Sequence, residues 1–84
     1  MTKNYQQLLS ITFETEDEAI EVLDILLDLL DRYKVVSVSD FYESVGTSSR
    51  YQDTKWGWNN LDDVQIIEVD GEYLIDFPEP MNIE

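Results

Sequence analysis

Residues 15–34 read TEDEAIEVLDILLDLLDRYK. Thr15 and Glu18 have the spacing of a capping box, in which the hydroxyl accepts from the third helical N–H and the glutamate reaches back to the cap. Glu16, Asp17 and Glu18 sit where a helix dipole favours anions, and Arg32 and Lys34 where it favours cations. The stretch holds no Gly or Pro. Together these signals predict a helix over 16–34. Ala19, Ile20, Val22, Leu23, Ile25, Leu26, Leu27, Leu29, Leu30 and Tyr33 cover roughly 220° of its circumference, well beyond the roughly 100° a surface helix needs. Asp17, Glu21, Asp24, Asp28 and Asp31 recur at spacings of 4, 3, 4 and 3, inside an arc of roughly 80° and over roughly 21 Å of axis. No Lys or Arg occurs between Glu14 and Arg32, so nothing before the last turn can neutralise that row by i, i+4 pairing.

On the N-terminal side, Leu9, Ile11 and Phe13 alternate with Ser10, Thr12 and Glu14, which predicts a half-buried strand over 8–14. On the C-terminal side, Val35-Val36 reads as a short link or brief strand. Val38, Phe41, Tyr42 and Val45 fit a helical face, with Ser37 or Ser39 as cap and Gly46 as stop, so a short helix is expected over 38–45. Residues 47–54 read as a loop and 55–58 (KWGW) as a strand whose two indoles point the same way. Asp70-Gly71 between two β-rich runs is the signature of a type I′ hairpin, 64–69 paired with 72–77. That register sets Val69 opposite Glu72, Ile67 opposite Leu74 and Ile66 opposite Ile75. Val64, Ile66, Tyr73, Ile75 and Phe77 then share the core side. Pro78 and Pro80 are expected to stop the last strand. The sum is a single small acidic α+β domain over 1–84. One antiparallel sheet, in chain order strand–helix–helix–strand–strand–strand, carries one long and one short helix on one face.

Composition narrows the function. The 84 residues include 19 Asp+Glu and 5 Lys+Arg, a formal charge of −14. That charge disfavours direct binding to nucleic acid or to an anionic membrane. No Cys and no His means no disulfide, thiol nucleophile, Cys/His zinc site or histidine acid–base catalysis. Apolar runs stop at three residues, so no membrane span is expected. There is no EF-hand loop, phosphate-cradling Gly-rich loop or nucleophile motif. The expectation is a non-enzymatic protein with no cofactor and no specific metal site.

The acidic row Asp17, Glu21, Asp24, Asp28 and Asp31 admits a bland reading, a solvated face in an acidic protein. It also admits a sharper one. DNA carries a charge about every 3.4 Å per strand, and a row of carboxylates about every 5 Å, filled in by Asp53, Asp62 and Asp63, can occupy a basic nucleic-acid groove. Loose divalent-cation binding is a third reading. Trp56 and Trp58 are either core residues or aromatic anchors for a partner. Part of the wide apolar arc, Val22, Ile25 and Leu29, either sinks into the core or forms a dimer contact.

Three blocks, VSVSDFYESVG (36–46), YQDTKWGW (51–58) and GEYLIDFPEP (71–80), resemble a group of small, uncharacterised bacteriophage and prophage proteins with the pattern VxVxDxY…VG, YxDxKWGW and a closing hairpin ending PxP. The resemblance covers roughly residues 36–80, and Glu72 departs from it beside the turn glycine. The group has no established activity, so no functional residues carry over. What the resemblance implies is a setting, the cytoplasm of a bacterial host. By analogy it also suggests a role, stoichiometric inhibition of a basic host enzyme that handles nucleic acid, such as a CRISPR effector, restriction or repair enzyme. The alternative role is a phage structural or assembly accessory that dimerises or docks through the apolar helix face.

Overall fold

The computed structural model describes residues 11–83. The fold is α+β. Helix α1 spans Glu16–Tyr33. Its capping box is formed as expected: the Glu18 N–H donates to Thr15 Oγ1 (3.2 Å), and Glu18 Oε1 accepts from the Thr15 N–H (3.3 Å). The same oxygen accepts from the Glu14 N–H at 3.2 Å. The helix stops where Lys34 turns left-handed (φ 71) with its N–H on the Leu30 carbonyl (2.8 Å). Ala19, Val22 and Leu26 are buried, and Leu23, Leu29 and Leu30 pack beside them. The apolar arc is thus wider than the part that is covered, and Ile20, Ile25 and Leu27 are left exposed at its edges.

Strand β1 (Val36–Ser37) runs directly into helix α2 (Val38–Ser44). Ser37 and Asp40 exchange a second capping box, each backbone N–H donating to the other's side chain at 3.0 Å. The expected loop 47–54 instead leads into a 3₁₀ helix, Tyr51–Lys55. The Asp53 carboxylate accepts from the Arg50 N–H (2.8 Å) while its own N–H donates to the Arg50 carbonyl (2.9 Å), which closes the turn. Strand β2 (Trp56–Trp58) pairs antiparallel with β1 on one side and with β5 (Met81–Asn82) on the other. Gly57 is required here by close approach. A Cβ at this position would run into the Val36 carbonyl oxygen and come within 2.7 Å of Ser37 Cα, closer than real Cβ contacts allow.

Strands β3 (Gln65–Val69) and β4 (Glu72–Asp76) form the hairpin in the expected register, from Val69↔Glu72 through Ile66↔Ile75. Asp70 (φ 55) and Gly71 (φ 85) are both left-handed, as a type I′ turn demands. The face expected to be inward is inward: Ile75 is buried in the core and Val64, Ile66, Tyr73 and Phe77 pack on it.

Two further expectations are corrected. The strands make two antiparallel sheets, β1-β2-β5 and β3-β4, rather than one. β4 ends before Pro78, as expected, but a further short strand, β5, pairs beyond Pro80, because a strand can start once the prolines lie outside the ladder. Of the strand expected over 8–14, residues 8–10 lie outside the described residues. Within the described part only Phe13 pairs, in an isolated bridge to Tyr73 (N–H···O 2.7 and 2.9 Å). Thr15 already starts the helical cap, which leaves no length for a ladder.

The core joins α1, α2 and both sheets. The Trp58 ring stacks on Phe77 (centroids 4.6 Å, 17° between planes) and Phe41 meets Phe77 edge-on at 4.8 Å. The Trp58 indole N–H donates to the Pro78 carbonyl (2.8 Å), so the polar end of a buried indole is satisfied.

Candidate functional site: the acidic face of helix α1

The site follows from helix geometry. The buried residues Ala19, Val22 and Leu26 fix which way α1 faces the core, and a 3.6-residue period puts Asp17, Glu21, Asp24, Asp28 and Asp31 on the opposite side. All five side chains are exposed. The row is uneven along its length. At its C-terminal end Arg32 Nε pairs with Asp28 Oδ2 (3.1 Å), and the Lys34 ammonium donates to the Asp31 carbonyl (3.2 Å). Both members of the ion pair are well exposed, so the pair adds little to stability. It does occupy one carboxylate. Among the described residues Asp17, Glu21 and Asp24 have no hydrogen-bond or ion-pair partner. The N-terminal part of the stripe is therefore the part left open.

The secondary residues divide. Asp62 and Asp63 are exposed in the turn before β3, where the Asp62 N–H donates to Asn60 Oδ1 (2.8 Å). Asp53 is committed to capping the 3₁₀ helix. That helix packs on α2, β1 and β2. Trp58 is core, 2% exposed, whereas Trp56 is 39% exposed. The two indoles expected to act alike have different fates, because Trp58 opposes Val36, which is buried in the core, while Trp56 opposes the exposed Asn82. The apolar trio is also split. Val22 is buried in the core, Leu29 is half-buried against it, and Ile25 alone is exposed, at 47%.

Beside the open end of the stripe lies a cleft of about 560 Å³, lined by Ile11, Thr12, Phe13, Glu18, Glu21, Val22, Val45 and Thr47. Three separate segments build it: the approach to α1, the first turns of α1, and the exit from α2. Linear pattern gave no hint of it, since only the tertiary fold brings those segments together. Glu21 belongs to both the stripe and the cleft.

The Tyr42 hydroxyl is held above its ordinary pKa, chiefly by burial and further by the Asp53 carboxylate, with Arg50 pulling the other way. Among the described residues no three acidic side chains converge as a metal site would require. No helix among them is long and apolar enough to cross a membrane. No protein-family model, curated protein or solved structure matches this chain.

Proposed function

We propose that this protein is a non-enzymatic binding module whose α1 carboxylates occupy a basic nucleic-acid-binding surface on a partner protein. The observation that carries the reading is the exposed carboxylate row on the face of α1 turned away from the core, unpaired over Asp17, Glu21 and Asp24. Like charges at i, i+3 and i, i+4 destabilise a helix, by about 0.2–0.5 kcal/mol per pair. A row kept at that cost suits a face whose positive counterpart lies on another molecule. Binding would exclude nucleic acid by competition, and the charge of −14 would steer encounter and raise the association rate. The resemblance to small phage and prophage proteins supports a bacterial host cytoplasm as the setting. It also supports a host CRISPR effector, restriction or repair enzyme as the class of target.

Support for the alternative, an assembly accessory dimerising through Val22, Ile25 and Leu29, is weaker, because Val22 is spent on the core. The test is capture from bacterial lysate on immobilised protein. Success is a nucleic-acid-binding protein that elutes with salt, is displaced by duplex DNA, and is not retained by Asp24→Lys/Asp28→Lys. Retention that ignores salt and survives the double substitution overturns the reading. Recovery of virion proteins or of a second copy would favour the assembly role instead.

A further inference from the structure

We infer that the cleft beside Glu21 is a receptor for an arginine side chain of the basic partner, and so the specific anchor point of an otherwise diffuse electrostatic surface. The inference rests on the reading of α1 as a docking face, and deepens it.

The cleft has the two halves such a side chain needs. Its apolar part, Ile11, Phe13, Val22 and Val45, offers a wall for a methylene stem. The rest of its lining is polar: Glu18, Glu21, Thr12 and Thr47. Thr12, Glu18 and Glu21 are exposed, so the cleft opens to solvent on the charged side. The polar groups are not equivalent. Glu18 Oε1 is held by the Glu14 and Thr15 N–H groups, and the Thr12 hydroxyl donates to Glu72 Oε1 (3.1 Å). Glu21 has no such commitment among the described residues. It is the carboxylate free to receive a ligand, while Glu18 adds fixed negative potential from a position its capping bonds hold still. The cleft, about 560 Å³, is largely open to solvent and has room for a side chain laid along it.

Arginine fits better than lysine on chemical grounds. A guanidinium bonds a carboxylate through two parallel N–H donors, sheds water more readily than an ammonium, and lies flat against an aromatic ring such as Phe13. A neutral or anionic occupant would leave Glu21 unanswered.

The test is an NMR titration of the full chain with Nα-acetyl-arginine amide, against the citrulline amide as a neutral isostere and the lysine amide as a second cation. The expected result is perturbation centred on Phe13, Glu21, Val22, Val45 and Thr47, with citrulline at least about fivefold weaker and lysine intermediate. Glu21→Gln should weaken arginine binding about fivefold or more. Asp24→Asn, the same charge change outside the cleft, should weaken it less than twofold. Thr47→Phe should block the cleft at constant charge, and if that variant does not fold, the Glu21 and Asp24 pair decides alone. Perturbations spread evenly along α1, or equal effects of the two charge-neutralising variants, overturn the proposal. The outcomes for the two readings separate. If capture of a DNA-binding partner persists in Glu21→Gln and Thr47→Phe but not in Asp24→Lys/Asp28→Lys, the docking face stands without the anchor. If arginine binds the cleft but capture ignores the stripe, the anchor stands without the docking face.

Discussion

The inward and outward faces of α1 are built on opposite terms. Inward, Ala19, Val22 and Leu26 are buried in one core to which the hairpin and α2 also contribute. Outward, the Asp17, Glu21 and Asp24 side chains have no hydrogen-bond or ion-pair partner among the described residues, and their mutual repulsion works against the helix that presents them. Residues on the first face are explained by the fold. Residues on the second are not, and that contrast is what makes the outer face a site.

Substitutions can sharpen or break the contrast. The largest effect is expected inside: Leu26→Ala should cost about 3 kcal/mol, within the roughly 2–5 kcal/mol of buried leucine truncations, read by urea denaturation. A loss under about 1 kcal/mol would mean that the inner face is loosely packed and the contrast overstated. Thr15→Ala removes the cap common to both faces and should cost about 1 kcal/mol, with helix content by circular dichroism falling first on heating.

A smaller effect is expected at high pH. The folded state holds the Tyr42 proton more tightly than the unfolded chain does. Stability from that group is therefore complete below pH about 10 and lost as pH rises through the folded pKa. Tyr42→Phe should lack this component of alkaline loss, measured as melting temperature between pH 9 and 11. The smallest effect has the opposite sign. Asp24→Asn should stabilise by a few tenths of a kcal/mol, about one like-charge pair, and the gain should shrink in moderate salt, which also raises the melting temperature of the parent protein. A destabilised Asp24→Asn would show that the stripe has a structural partner after all.

The elements readable in the sequence were those specified by neighbours along the chain. Thr15 with Glu18, Ser37 with Asp40, and Asp70-Gly71 each fix a helix start or a turn within four residues; the first and third stand as expected, and Ser37 is the one of the two candidate caps that is used. The stripe was readable for the same reason, since helical period alone aligns it. The division into two sheets was not, because it depends on which distant strand Trp56–Trp58 finds. Nor was the separation of Trp56 from Trp58, or of Val22 from Ile25. In each pair the two residues look alike in sequence, and only the position of a neighbouring element tells them apart. The 3₁₀ helix lay in a stretch whose Ser, Thr and Asp content reads as loop, and Asp53 turned out to close it. The cleft had no sequence signal, being an assembly of three segments.

The sheet β1-β2-β5 bears on how the chain reaches its native state. The hairpin closes through a two-residue turn and α1 needs contacts only four residues apart, so both can form on the microsecond scale. Gly57, by contrast, must find Ser37 on one side and Met81 on the other, both some twenty or more positions away. Trp58 leaves water only when that search ends, since its indole N–H bond reaches twenty residues along the chain to Pro78. In a rapid-mixing experiment, helical circular dichroism should therefore rise ahead of the change in tryptophan emission. Gly57 lets β1 and β2 touch, and the residue beside it would report when they do.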